Sequence, residues 1–306
     1  MKHKKLIGNG LLLFTAMIWG TAFAAQRIGT ASIEPATFTA ARMLLSAVMV
    51  GLISVLPGSG SAETPAQKSD SEIRLSRKST VTGGVLCGLC LCIASLLQQA
   101  GLAYTTSGKA GFITAMYMLL VPIISLIVFR KKYPWLVWLS VLLGMIGMYF
   151  LSITESFSLA YGDTLVFLCA VFFSCHILCC DHFVKNANPV RMSAIQFATA
   201  TVVSAVIAAF TETPTPEKVM SAIIPIAYCG IVSGGIGYTL QMVAQKMTEP
   251  TTASLLMSME SVFSVIAGVI LLNERMSIRE AAGCLIMLAA IILVQIPLPA
   301  EKKQPV

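Results

Sequence analysis

Ten apolar runs of bilayer length can be marked off along the chain, at about residues 6–25, 35–56, 81–104, 110–129, 135–151, 161–183, 192–210, 221–245, 251–272 and 277–296. Each is bounded by charge, Pro or Gly. Each can satisfy its own backbone hydrogen bonds as a helix, which lipid demands because it offers no water to do so. The predicted elements are therefore membrane-spanning helices. A hydrocarbon core about 30 Å thick takes about 20 helical residues to cross, so ten spans leave only about 100 residues for loops and tails. No sizeable soluble domain fits in that remainder. The one long interruption, 57–80, is rich in Ser, Gly, Pro and charge and reads as a flexible cytoplasmic loop.

Composition agrees with this pattern. Of the 306 residues, 56% are hydrophobic and 11% charged, against roughly 25% charged in soluble domains. The formal charge of +7 is best explained by where the basic residues fall. Fifteen of the 21 Lys and Arg lie on one set of alternate loops and tails, five lie on the other, and Arg42 is inside a span. The excess marks the cytoplasmic side, so both termini are expected in the cytoplasm, and nucleic acid is not expected as a partner. The sequence Ala22-Phe23-Ala24 after an apolar run imitates a signal-peptide cleavage site, but the run is too long for one. All nine cysteines fall within predicted spans, as small packing residues rather than a disulfide framework.

The second half repeats the first. At an offset of 143, residues 97–150 superpose on 240–293 without a gap, pairing Gln98 with Gln241, Thr105 with Thr248 and Met116 with Met259. At an offset of 154, Pro35 meets Pro189 and Arg42 meets Gln196. A unit of five spans is odd, so its second copy must sit upside down in the membrane. The expected fold is all-α and integral to the membrane, with ten transmembrane helices as two inverted five-helix repeats, 1–151 and 161–296, and a cytoplasmic tail over 297–306.

Three segments carry a family likeness: Trp19-Gly-Thr-Ala-Phe-Ala-Ala-Gln-Arg27, Pro35-x-x-Phe38-x-x-x-Arg42 and Gly101-Leu-Ala-Tyr-Thr-Thr-Ser-Gly-Lys-Ala-Gly111. Together with Ala253-Ser-Leu-Leu-Met-Ser-Met-Glu-Ser-Val-Phe263, Asn273-Glu274 and Gly283, they make the chain resemble EamA-type transporters of the drug/metabolite transporter superfamily over about residues 6–296. The resemblance implies an inner-membrane permease for amino acids, related metabolites or toxic organic compounds, often moved outward. The chain departs from the pattern in helix 6, where Phe172-Phe-Ser-Cys-His176 replaces the Trp-Gly of helix 1.

Charges inside the bilayer single out candidate residues. A charge at the centre of a span costs about 2.5–3.5 kcal/mol, so Arg42 and Glu260 need a reason to be there. By the repeat register Glu260 corresponds to Tyr117 and Arg42 to Gln196, two polar positions facing the interface between halves. Two readings stand. Arg42 and Glu260 form one buried ion pair or cap backbone carbonyls and so fix helix register, or Glu260 changes protonation during transport while Arg42 steers its charge or meets an anionic substrate group. His176 suits a hydrogen-bonded structural role or a proton relay. Gln98 and Gln241 must find partners inside the bundle, with substrate as an alternative. Trp19 either lines a cavity or packs. Pro122, five residues past Tyr117, interrupts helix 4 near a polar residue.

No metal site or cofactor is expected. Cys175, Cys179 and His182 share one helical face, but ligands from a single helix rarely enclose a tetrahedral ion. The motifs HExxH, GxSxG and Walker A are absent, which disfavours an enzyme. The expected function is a secondary transporter working by alternating access, its partners a small molecule and the lipid bilayer. A homodimer is compatible with this reading, and a passive channel or a lipid-carrier flippase shares the same architecture. Ser277-x-x-Glu280 reads as a capping box at the start of the last helix.

Overall fold

A computed structural model describes residues 2–56, 69–105, 107–152, 161–272 and 276–296, and their regular secondary structure is entirely helical. The elements are α1 (Lys2–Thr30), α2 (Pro35–Val55), α3 (Asp70–Gly101), α4 (Ser107–Thr114), α5 (Tyr117–Phe129), α6 (Trp135–Ser152), α7 (Tyr161–Val184) and α8 (Pro189–Thr211). There follow α9 (Pro216–Ser221), α10 (Ile223–Ala227), a π-helical segment (Tyr228–Tyr238), α11 (Thr239–Gln245), α12 (Pro250–Met257), α13 (Glu260–Leu272) and α14 (Ile278–Gln295). Eight helical stretches among the described residues are long and apolar enough to cross a bilayer, while the apolar stretch Trp135–Leu151 is shorter.

The helices are amphipathic in the sense opposite to that of a soluble protein. On α2, Leu44, Val48 and Leu52 lie on the outside, while Thr39, Arg42 and Ser46 are buried. On α14, Leu285, Leu288 and Ile292 face out and Met287 faces in. Outward apolar and inward polar faces suit a hydrocarbon solvent, in which the polar groups must find each other.

Two runs expected as continuous helices are broken. The run at 110–129 divides into α4 and α5 at 115–116, and 251–272 divides into α12 and α13 at 258–259. Pro122 inside α5 has no N–H to donate to the preceding turn. In α12, Ser254 and Ser258 turn their hydroxyls onto the carbonyls of Thr251 and Leu255, which competes with the backbone ladder.

These breaks obey the repeat. Shifted by 143, the limits of α4, α5 and α6 become those of α12, α13 and α14, at both ends of each helix. The packing obeys it too. Helix α5 lies on α7 as α13 lies on α1, α4 lies on α7 as α12 lies on α1, and α5 meets α12 as α13 meets α4. Helices α2 and α8, and α6 and α14, each pair with their own counterpart. Such exchange of partners is the mark of two halves related by a pseudo-twofold axis.

Polar contacts gather at the two ends of the bundle. At one end Lys218 pairs with Glu34 and holds its carboxyl below the ordinary carboxylate range. There Asp163 also receives Lys109 at 2.6 Å and Thr105 at 2.7 Å. At the other end Asn9 bonds Gln295 at 3.0 Å and Thr248 at 3.1 Å, and Lys131 meets Glu249 at 3.2 Å. Each contact joins segments that the count of basic residues places on the same side of the membrane.

Hydropathy misplaced the start of α3. Residues 70–80, expected as part of a flexible loop, are its first turns, while 57–68 lie outside the described residues. Ser69 caps the helix, its hydroxyl accepting from the N–H of Glu72 while the Glu72 carboxylate accepts from the N–H of Ser69. The helix then runs with Arg74 and Lys78 in the open, a solvated stretch that an apolar count reads as loop. The box at Ser277 and Glu280 forms as expected, whereas 273–275, which include Asn273 and Glu274, lie outside the described residues.

Helix α2 has no cap of its own, since Glu34 makes no capping bond. Glu212, just past α8, supplies it: the carboxylate accepts from the N–H of Ala36 at 2.8 Å and of Thr37 at 2.7 Å, and from the Thr37 hydroxyl at 2.7 Å. Glu212→Ala is expected to destabilise the detergent-solubilised protein by about 1–2 kcal/mol. A lowered thermal midpoint, largely restored in Glu212→Gln, is the readout; an unchanged midpoint would show that water replaces the cap.

Candidate functional site

Where the two halves meet, a cavity of about 510 Å³, its mouth included, opens among α1, α2, α3, α4, α5, α7, the π-helical segment, α11, α12 and α13. Its wall places seven of the eight expected residues together: Trp19, Arg42, Gln98, Tyr117, His176, Gln241 and Glu260. The eighth, Gln196, stands behind the wall, its Oε1 2.9 Å from His176 Nε2.

Arg42 and Glu260 are 6% and 4% exposed. They make no ion pair with each other. The Arg42 guanidinium donates to Gln26 Oε1 at 3.1 Å and lies 5.6 Å from the centre of the Phe38 ring, while its Nε has no hydrogen-bond partner among the described residues. Glu260 Oε1 accepts from the Tyr117 hydroxyl at 3.3 Å. Glu260 is also the first residue of α13, so its carboxylate lies at the positive end of that helix dipole. Of the two readings of this pair, the register-fixing ion pair is the one the geometry does not form.

The helix breaks explain the position of the pair. Tyr117 and Glu260 open α5 and α13 at matching positions of the repeat register, and the packing of α5 and α13 brings them into contact. Two other wall pairs share the register: Gln98 with Gln241 and Thr114 with Met257. Gln98 donates to Thr114 at 3.2 Å, and Gln241 donates to Gln245 at 3.0 Å while its own Oε1 has no partner.

The π-helical segment sets the remaining wall. Its widened turn and glycines let neighbouring backbones come close. A Cβ on Gly237 would lie 2.7 Å from Trp19 Nε1, and one on Gly230 2.7 Å from the Arg42 carbonyl. Trp19 thus reaches in to donate to the Ser233 carbonyl at 3.1 Å and to contact Tyr238, ring centres 4.6 Å apart.

Tyr238, Gln26 and Ser233 line the cavity without having been expected. Gln26 lies inside the Trp19–Arg27 motif, and its spacing one helix turn beyond Ala22 was a usable signal. Tyr238 follows a run of glycines, but nothing in a sequence marks a π-helix. Cys175, Cys179 and His182 are not gathered into a ligand set. Among the described residues one such set does form, Cys87, His176 and Cys180, just behind the wall.

Gly237→Val is expected to push the Trp19 indole from its pocket and break its bond to Ser233. Against a Trp19→Phe reference that isolates its share from the other two tryptophans, the Trp19 emission should shift to the red; an unmoved spectrum would place Trp19 outside this contact.

Comparison with known proteins bears on the whole chain. The model of the EamA-like transporter family matches twice, over residues 6–153 and 160–296. An uncharacterized transporter of Archaeoglobus fulgidus is 28% identical over 293 residues, covering 96% of this chain and 87% of its own. A solved crystal structure superposes with a TM-score of 0.73 over 96% of this chain and 97% of the other, at 18% identity, which speaks for the fold.

Proposed function

The chain belongs to the EamA-like transporter family, and from that premise we propose that it is a secondary transporter for small organic metabolites bearing a carboxylate, amino acids among them. It is a multi-pass membrane protein. In this reading ten spans form two inverted repeats in the cytoplasmic membrane, with both termini inside. The short stretch Trp135–Leu151 and the broken run from α12 to α13 supply the two spans beyond the eight long ones.

The observation that carries the reading is the pair of opposite charges buried in one cavity, one from each half, with no ion pair between them. Water-poor surroundings make each charge costly, and the cost is offset only by a partner. Arg42 presents planar N–H donors suited to a carboxylate. Glu260 serves as the group that takes and releases a proton or meets a substrate ammonium, and Tyr117 holds it in place. Trp19 and Tyr238 provide an aromatic wall for the substrate's carbon skeleton.

The matched helix contacts support alternating access. If the halves rock about the interface, the contacts of α1 with α12 and α13 trade places with those of α7 with α4 and α5. The Asn9, Thr248 and Gln295 contacts join segments at the end this reading assigns to the cytoplasm.

In proteoliposomes with an imposed pH gradient, one labelled amino acid or related carboxylate from a panel is expected to accumulate with saturable kinetics. Glu260→Gln should lose gradient-driven accumulation by at least about tenfold while keeping substrate counterflow. Arg42→Gln should raise KM by about tenfold or more, the loss of one charge-assisted hydrogen bond. Non-saturating flux would indicate a channel, movement of a labelled lipid a flippase, and unaltered coupling in Glu260→Gln would remove the proton role.

A further inference from the structure

Behind the cavity, Cys87 of α3 and His176 and Cys180 of α7 converge, all three fully buried or nearly so. The thiol sulfurs stand 3.7 Å apart, and Cys180 Sγ is 3.6 Å from His176 Nε2 and 4.0 Å from Nδ1. Bond lengths of about 2.3 Å to sulfur and 2.0 Å to nitrogen put the donors of a tetrahedral zinc ion about 3.8 Å apart for a sulfur pair and about 3.6 Å for sulfur and nitrogen. The 3.7 Å sulfur–sulfur gap matches that spacing, the 4.0 Å from Cys180 Sγ to Nδ1 is a few tenths of an ångström wider, and all three donors lie within 4.8 Å of one another. His176 and Cys180 are one helical turn apart on the same face, and the third donor crosses from a neighbouring helix, which removes the objection to a single-helix site.

We propose that Cys87, His176 and Cys180 form a binding site for a zinc-type divalent cation that ties α3 to α7. Charge and softness favour this class. Two thiols lose their protons to water in the cavity as two metal–sulfur bonds form, and the dication with two thiolates and a neutral imidazole has no net charge to bury. A monovalent ion on the same ligands would leave a buried negative charge. Thiolate and imidazole donors discriminate against magnesium and calcium. With His176 Nε2–H donating to Gln196, the Nδ1 lone pair is left for the metal, and Gln196 fixes the ring as an outer partner. Met192 and Met242 pack with the two thiols in one buried cluster. His176 lines the cavity, so an ion enters from there. Because α3 and α7 come from different halves, the bound ion would clasp them together. Binding itself does not depend on what the cavity carries; only the clasping of moving halves rests on the transport reading.

The test is Zn²⁺ binding by purified full-length protein, followed by equilibrium dialysis and X-ray absorption. Wild type should bind about one ion per chain, with two sulfurs at about 2.3 Å and nitrogen at about 2.0 Å. Cys87→Ser and Cys180→Ser should weaken binding by at least about tenfold, whereas Cys90→Ser with Cys179→Ser should leave it unchanged. The absorption spectrum needs no variant, so it decides the matter even where a variant fails to fold. No binding by wild type, a shell without two sulfurs, or full binding by Cys87→Ser would overturn the site. Zinc inhibition of flux, absent in Cys87→Ser, would report the clasp; binding without inhibition would leave the site standing and remove the clasp.

Discussion

Every polar group inside a hydrocarbon solvent must be satisfied by the protein itself, and the size of the side chain decides how. Small hydroxyls do it locally. Thr15, Ser46, Ser140, Ser174 and Ser204 each return a hydrogen bond to the carbonyl one turn back in their own helix. Long polar side chains are not satisfied that way alone. Arg42, Gln26, Gln98, His176, Gln196, Gln241 and Glu260 turn toward other polar side chains, and those bonds run mostly between helices. These side chains gather around the cavity, where Arg42 Nε and Gln241 Oε1 are still without a partner among the described residues, so the wall of the site and the interior polar network are largely the same residues.

Breaking a helix in lipid frees backbone groups, a cost tolerated where the break lies inside protein or beside a cavity. Both breaks here are of that kind. They turn the first residues of α5 and α13 toward the cavity, and those residues are Tyr117 and Glu260. The same event in each half, repeated at the same register, puts a helix N-terminus near the centre of the molecule twice. An acidic side chain at one of these ends is electrostatically favoured there, which partly offsets its burial.

How far this was legible in the sequence differs by residue. Arg42 and Glu260 stood out because charge within an apolar run has few innocent explanations, and the repeat register extended them to Tyr117 and Gln196. Hydropathy alone could not place residues 70–80, because a helix leaving the membrane loses its apolar signature but keeps its capping residues, Ser69 and Glu72. The breaks at 115–116 and 258–259 and the π-helical segment were invisible for another reason: each preserves the apolar composition that a window counts. Cys87 could not be joined to His176 and Cys180 from sequence, since their meeting depends on how α3 lies along α7. Local patterns revealed positions along the chain, and tertiary packing alone revealed partners.

Duplication by itself would give a symmetric cavity, and symmetry is a poor starting point for binding a zwitterion. Two copies of Arg42 would repel each other in a low-dielectric interior, and two copies of Glu260 would do the same. In this chain two repeat-related pairs each hold one ionisable and one neutral member: Arg42 with Gln196, and Glu260 with Tyr117. The ionisable members come from different halves, so the cavity contains one basic and one acidic side chain. Their neutral counterparts remain useful as supports, Tyr117 donating to Glu260 and Gln196 bonding His176. The two halves keep matching helix contacts, while the wall between them gains a direction. A ligand with separated charges then has one preferred orientation in a site whose backbone is nearly twofold, and that orientation is set by side chains that can diverge without disturbing the helices.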